Sequence, residues 1–353
     1  MKNETGGWRP SCSTQVLHVR AVMLQAIRRF FQDRGYLEVD TPSLSRDVIL
    51  DAWLEPFALD VRGERWFLQT SPESHMKRLL AAGCGSIFQI SRVFRRDEHG
   101  VQHNSEFTMV EWYGVDSTWL EQIDVTESLV RTSVSAAAWV TGTDVALEWS
   151  ASPFRRTKYM QAFQKAFGIN VLESSGSQIV EAARKLNVPL PDNLLPEQID
   201  DVLNVMLAFA IEPNLGGRKS HEDRISGHVR DRPKIHPEFL YDYPATQAAL
   251  AVLSETPPQV ARRFELYVQG MELCNGYQEL TDVEELRRRD FAQNERRLAE
   301  DLPQLPGASR LMAAMQSGLP PCSGVALGFD RLVMLATQCR NIREVIPFPD
   351  DLA

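Results

Sequence analysis

The chain of 353 residues predicts an α+β fold: a mainly antiparallel sheet flanked by helices, with a helical insertion. Three observations point there. Residues 86 to 115 read as one long hairpin, with "SIFQISRVFR" going out and "EFTMVEWYGV" coming back. "RRFELYVQGMELCNGYQEL" carries a second hairpin signal, the Gln269-Gly270 pair between two apolar runs. Strand and helix patterns do not alternate regularly, so the chain lacks the rhythm of a parallel βαβ sheet.

The elements follow in order. Residues 1 to 14 read as a loose arm. From Gln15, apolar residues at Val16, Val19, Val22 or Met23, Ile27 and Phe30 or Phe31 fall at helical spacing, and Gly35 suits the C-terminal cap. "YLEVDTP" alternates as a short strand that stops at Pro42. "RWFLQT" is a strand signal, and "SPESHMKRLLAAG" a helix with Ser71 as N-cap and Pro72 in its first turn. "TKYMQAFQKAFG", "SQIVEAARKLNV" and "PEQIDDVLNVMLAFAIEP" are three short helix patterns broken by Gly, Ser and Pro, which defines a helical insertion over 152–215. Residues 216–238 are polar with little apolar periodicity and read as a solvated, mobile loop. Its three histidines lack metal-ligand spacing. "EFLYDYP" returns to strand, "DVEELRRRDFAQNERRLAED" is a charged amphipathic helix, and "GVALGF" is a strand running into a helix at "DRLVML". Residues 15–353 are thus expected to form one large domain that includes the insertion and the polar loop.

Composition narrows the class. With 43% hydrophobic and 24% charged residues, this is the make-up of a soluble globular protein. A net charge of -9 argues against broad nucleic-acid binding, which wants a basic surface. The five cysteines, Cys12, Cys84, Cys274, Cys322 and Cys339, are odd in number, scattered and without a CxxC pair, so they suggest neither a disulfide framework nor a zinc site. A reducing cytoplasm fits. The start, "MKNETGGWRP", has no apolar signal region, and no apolar run nears the roughly 18 residues of a membrane span.

The tip of the first hairpin, "FRRDEHGVQHNSEF", sets an Arg pair, carboxylates, two histidines and an Asn between Phe94 and Phe107. An exposed turn accounts for such a run; so does a grip on a flat anion such as ATP.

Three motifs in order bear on that choice: "FFQDRGYLEVDTP", "FRRDE…HNSEF" and "GVALGFDRLVML". Together they resemble motifs 1, 2 and 3 of class II aminoacyl-tRNA synthetases. "TSPESHMKRLLAAG", "QHNSEFTMVEWY" and "MELCNGYQELTD" are similar to the lysine branch. The resemblance covers nearly the whole chain apart from the arm and the 216–238 loop. Lysyl-tRNA synthetases also carry an N-terminal anticodon-binding domain, for which no room is expected before residue 15. A lysyl-like chain without that domain resembles the branch that adenylates (R)-β-lysine and transfers it to a lysine ε-amine of elongation factor P.

The resemblance implies roles. Activation of a carboxylate needs the α-phosphate held in line with the attacking oxygen and fixed cations where charge develops. Arg95 corresponds to the α-phosphate arginine and Arg331 to the one at the γ-phosphate; both are the implied catalytic groups. Phe107 corresponds to the aromatic stacked on adenine. Arg96, Asp97, His103, Asn104, Glu272, Leu273 and Gly328 complete the implied ATP site. Glu272 and Glu279 correspond to carboxylates for Mg²⁺, which takes oxygen ligands. Seven residues apart on a regular strand they would face opposite sides, so a bulge near Asn275 and Gly276 is expected. Ser71, Pro72, Glu73, Glu111, Tyr113, Asn275, Tyr277 and Glu279 correspond to the amino-acid pocket, where carboxylates suit two amines. Ala326 stands where lysyl-tRNA synthetases have Gly and the β-lysyl branch has Ala. Its methyl would crowd an α-amine. The pattern departs at Asp97, where Glu is usual, and at Ser74, where Tyr is common. The family pairs through motif 1, which implies a homodimer. The acidic charge and the missing domain speak against tRNA charging. Two other functions stay open: a truncated lysyl-like synthetase acylating another acceptor, and a synthetase-fold regulator without catalysis.

Overall fold

The computed structural model describes residues 8–51, 54–149, 152–191, 198–217 and 235–353. Chain contacts divide it into two compact units, one of Met1–Ala146 with Glu279–Ala353 and one of Leu147–Gln278.

The first unit begins with α1 (Thr14–Gln32), capped by Ser13, whose side chain accepts the Val16 N–H. Its described lead-in is docked, not loose: the Ser11 hydroxyl donates to the Ile346 carbonyl at 2.7 Å, and Cys12 is buried. Then come β1 (Leu37–Glu38), β2 (Leu44–Ser45), β3 (Ala58–Val61), β4 (Glu64–Leu68), α2 (Glu73–Ala81), β5 (Ile87–Phe94), β6 (Glu106–Val115) and α3 (Trp119–Thr141). The second unit holds β7 (Arg155–Lys158), α4 (Tyr159–Phe167), α5 (Gly176–Lys185), α6 (Ile199–Met206), β8 (Glu238–Pro244), β9 (Val260–Val268) and β10 (Met271–Gln278). The chain then returns to the first unit with α7 (Val283–Ala299), α8 (Ser309–Gly318), β11 (Cys322–Gly328) and α9 (Phe329–Thr337).

In the first unit the strands run β1-β5-β6-β11, with β1 parallel to β5 and the other pairs antiparallel. A small antiparallel sheet, β2-β4-β3, stands beside them in the sequence. The register gives the main sheet two unlike faces. Phe88 lies opposite Trp112, and Trp112 opposite Val325. That face is apolar and packs on α1: Phe31 stacks on Phe88 with centroids 4.7 Å apart, and Trp112 lies 5.3 Å from Phe31. Burying such side chains contributes about 1.5–3 kcal/mol each. The Trp112 indole N–H is satisfied by Gln122 of α3 at 2.8 Å. The other face carries the candidate site.

In the second unit the order is β10-β9-β8-β7, antiparallel except for β7 on β8. The Gln269-Gly270 turn is as expected: both residues have positive φ, 54° and 74°, as a two-residue turn of this hand requires. The three expected helices of 152–215 are α4, α5 and α6, with a wider-wound extension over Leu207–Ile211. They share one apolar core with β8 and β9, including Tyr159, Phe163, Met206, Leu240 and Tyr267. Of the polar stretch 216–238, residues 218–234 lie outside the described residues, as do 1–7 of the arm.

Two expectations shift. The second helix starts at Glu73 with Pro72 in the cap position. Ser71 still accepts the Glu73 N–H at 3.0 Å, but from one residue farther out. And α3, not anticipated, is a helix of 23 residues with a capping box between Thr118 and Glu121 and a left-handed Gly142 at its end.

Candidate active site

Strand alternation gathers the predicted residues of the first unit. Phe107 pairs with Val93, Met109 with Gly328, Glu111 with Ala326 and with Gln89, and Tyr113 with Gly324. Directly opposed residues share a face, so Phe107, Glu111, Tyr113, Ala326 and Gly328 line one side of the sheet. The β11 positions on this side are small. A Cβ at Gly324 would overlap the Tyr113 ring and a Glu279 carboxylate oxygen, so nothing larger than hydrogen fits. Ala326 places its methyl beside Glu111. Among the described residues, Gln89 Oε1 and Ser91 Oγ on this face are buried without a hydrogen-bond partner. Such orphaned atoms in a native fold call for an explanation, and a bound ligand is one.

Over this face lies an acidic cluster. Glu111 is 2% exposed and accepts from the Tyr113 hydroxyl at 2.6 Å and the Ser71 hydroxyl at 2.8 Å. Burial, then the charge of Glu73, pushes its carboxyl up to about 8. Lys77, one turn after Glu73 on α2, was not anticipated. Its ammonium lies 2.5 Å from Glu73 Oε1 and 2.5 Å from Glu279 Oε2, and its side chain is 2% exposed. The two carboxylates outweigh its own burial and hold it charged. Burial raises Glu279 to about 7, opposed by Lys77 and assisted by Glu73. The predicted Glu73 and Glu279 thus meet at one ammonium, and Ser71 and Tyr113 meet at Glu111, which feels the charge of both carboxylates. Three carboxylates against one cation leave acceptor capacity for further amines. Ser74 is fully buried on the same helix.

The charged loop after β5 carries the phosphate candidates. Arg95 donates to Glu98 at 3.0 Å, and its guanidinium lies 5.0 Å from the Phe107 ring centre. Its Nε is buried and has no hydrogen-bond partner among the described residues, as suits a group that awaits an anion. Asp97 is exposed and near Arg96. Glu98, not Asp97, is the carboxylate paired with Arg95. Arg331, on α9, donates to His103 Nε2 at 2.7 Å and to the Gln102 carbonyl at 3.3 Å. An arginine only donates, so His103 Nε2 must accept; burial, then Arg331, keeps that imidazole below its ordinary value and neutral. Asn104 donates to the Glu106 carbonyl at 2.8 Å.

What aims Arg331 lies one residue earlier. Asp330 is buried, 2.5 Å from Arg20 of α1, and accepts the Thr108 N–H of β6 at 2.6 Å. One carboxylate ties three elements together at the root of α9. Neither Arg20 nor Asp330 was anticipated as a pair; nothing in the sequence joins positions so far apart.

The second unit holds Glu272, Leu273, Asn275 and Tyr277 on β10. Asn275 accepts from Arg263 Nε at 3.2 Å and donates to the Tyr277 hydroxyl at 3.0 Å. Arg263 also donates to Glu265 at 2.6 Å, and Glu265 accepts the Tyr243 and Tyr267 hydroxyls at 2.5 and 2.6 Å. Leu273 is buried. A bulge does interrupt β10, but the register shifts between Glu272 and Cys274, ahead of the expected Asn275 and Gly276.

Magnesium fits these residues in part. Glu272 is a partly exposed carboxylate, the donor type that Mg²⁺ takes. Glu279 fits less well: one oxygen faces the Lys77 ammonium, and the carboxylate also accepts from the Gly324 N–H. An ammonium at that distance is a poor neighbour for a dication.

A fold of this sheet order, with a charged hairpin loop and an arginine at the head of α9, is that of the class II synthetases. The family described as tRNA synthetases class II (D, K and N) matches residues 2–352, and the chain belongs to it. More particular relatives are named "Elongation factor P--(R)-beta-lysine ligase". The one from Klebsiella pneumoniae (strain 342) is 40% identical across 99% of this chain and 100% of its own length. The one from Salmonella arizonae is 39% identical over the same shares.

Proposed function

We propose that this chain is an ATP-dependent ligase that activates (R)-β-lysine and transfers it to the ε-amine of a lysine on elongation factor P. The observation that carries this reading is the buried acidic cluster on the same sheet face as Phe107. It offers amine recognition beside a nucleotide site. The full-length similarity to ligases of that name supports it.

The chemistry assigned to the residues is as follows. A carboxylate oxygen of β-lysine attacks the α-phosphorus of ATP, and pyrophosphate leaves. Arg95 holds the α-phosphate and Arg331 the γ-phosphate, where fixed donors stabilise charge better than reorganising water. Phe107 stacks the adenine; Arg96, Asp97, His103, Asn104 and Gly328 contact the nucleotide, and the family resemblance alone adds Leu273 of the second unit. Glu73, Glu111 and Glu279, with Ser71, Pro72 and Tyr113, receive the amines; the family resemblance alone adds Asn275 and Tyr277 of the second unit to amine recognition. Ala326 disfavours an α-amine. In the second step the acceptor ε-amine attacks the acyl carbon, AMP leaves, and the amine loses a proton. Magnesium would neutralise phosphate charge. Glu272 is its best protein ligand, with Glu279 left to the amines.

We assign the chain to the cytoplasm, as a homodimer that does not charge tRNA. Among the described residues no helix is long and apolar enough to cross a membrane. The test is intact-mass analysis of elongation factor P after incubation with the protein, ATP and (R)-β-lysine. A β-lysyl adduct on one lysine is expected. Adenylate formation without that adduct would instead favour another acceptor, and no adenylate would favour a regulator.

A further inference from the structure

We infer that Asp350 is a positioning residue for the nucleotide: it fixes the returning arm of the charged loop so that Arg95 and Asn104 are set before ATP arrives. The inference rests on the ATP site proposed above. No motif includes Asp350, which follows the short helix Ile342–Glu344.

The contacts form a relay. The Arg95 N–H donates to the Ser105 carbonyl at 2.8 Å. The N–H of the same Ser105 donates to Asp350 Oδ2 at 3.1 Å. The Asp350 N–H donates to Asn104 Oδ1 at 3.2 Å, while Asn104 Nδ2 donates to the Glu106 carbonyl at 2.8 Å. The amide of Asn104 is therefore held from both ends and cannot flip. On the outgoing arm, His99 Nδ1 lies 3.2 Å from Asp350 Oδ2. One residue thus braces both arms of the hairpin tip. Arg343 fastens the neighbouring Asp351 at 2.6 Å, which keeps the segment in place.

The Asp350 side chain is 37% exposed, so truncating it removes its contacts with the Ser105 N–H and His99 without opening the core, and leaves the main-chain hydrogen bond to Asn104 in place. That separates positioning from simple stability. Substitution by Asn keeps an oxygen for the Ser105 N–H and gives up the carboxylate that faces His99 Nδ1; substitution by Ala gives up both.

The experiment measures ATP binding by calorimetry, with no amino acid present, for the wild type, Asp350→Asn and Asp350→Ala. Thermal midpoints and (R)-β-lysine-dependent pyrophosphate exchange are read alongside. Loss of one charge-assisted hydrogen bond at a half-exposed site predicts a Kd for ATP raised about tenfold in Asp350→Ala. Asp350→Asn should stay within about threefold, because a side-chain acceptor for the Ser105 N–H survives. The midpoint and the KM for β-lysine should not move. An unchanged ATP Kd in Asp350→Ala overturns the inference, as does a loss of binding that tracks a fallen midpoint, or a wild type that binds no ATP. A wild type that binds ATP but exchanges no pyrophosphate overturns the proposed function alone, and the Kd comparison still decides the role of Asp350.

Discussion

The first unit buries Glu73 and Glu279 against the single ammonium of Lys77, with Glu111 buried beside them on the hydroxyls of Ser71 and Tyr113, while the second buries Glu265 against the guanidinium of Arg263 and adds the hydroxyls of Tyr243 and Tyr267. At the centre of the second network one carboxylate faces one guanidinium, and the half-buried Glu212 is a further acceptor near the Tyr267 hydroxyl at 3.1 Å. In the first, negative charge is in surplus, and burial responds by raising Glu111 and Glu279 toward neutrality. A balanced buried network supports a fold. A surplus costs stability and persists where a ligand will complete it. The difference separates scaffold from site without reference to any motif.

The largest expected effect is on the balanced side. Glu265→Ala leaves the mostly buried Arg263 without its nearest counter-charge, which should cost up to about 3–5 kcal/mol. Urea unfolding would show it as a lower midpoint. A change below about 1 kcal/mol would mean that the network is not a structural keystone.

The surplus side predicts the reverse. Glu111 keeps its proton in the fold up to about 8, whereas its ordinary value is 4.5. The unfolded chain therefore sheds that proton first. The stabilisation is fully present below 4.5 and is lost as pH rises through about 8. Glu111→Gln removes this dependence. Its thermal midpoint should fall less than the wild type's between those limits and lie above it on the alkaline side. Its (R)-β-lysine-dependent exchange should fall about 10²-fold, the usual cost of losing one preorganised polar group. A variant both less stable and equally active would reverse the comparison.

How far the sequence reveals these networks depends on distance along the chain. The hairpin of 86–115, the Gln269-Gly270 turn and the entry into α9 are local patterns, and they were readable as such. Helix α3 was not, although Thr118 and Glu121 spell a capping box. Its buried face uses Thr126, Ser133 and Ala137 beside Ile123 and Leu129, and the hydroxyls bond back to their own helix. That blurs the apolar stripe on which the 3.6-residue period depends. Lys77 was hidden differently. With Glu73 it reads as an ordinary exposed i,i+4 pair; only Glu279, far along the chain, makes it a buried bridge. Asp330 and Asp350 are likewise given meaning by distant partners, Arg20 and Ser105. The implied site residues of the first unit were legible because the family motifs name them, whereas the groups that hold them in place were not.

A smaller effect is expected at Ala326, which borders the cluster opposite Glu111. Ala326→Gly removes one methyl from the wall and should relax the preference for (R)-β-lysine over α-lysine. One methylene-sized change is worth about 1–3 kcal/mol, so the kcat/KM ratio should move by roughly 10–200-fold at most. A ratio that does not move would place the discrimination elsewhere in the pocket.

The central claim is that the surplus carboxylates of the first unit exist to receive a substrate's amines. The most direct measurement compares ATP–pyrophosphate exchange by the wild-type protein on (R)-β-lysine with exchange on the same β-amino acid lacking its distal amine. A pocket that leaves buried acceptors unpaired should reject the analogue by about 10⁴ in kcat/KM. Exchange on the analogue within about tenfold of that on (R)-β-lysine would contradict the account, because the buried carboxylates would then be doing something other than reading the amines.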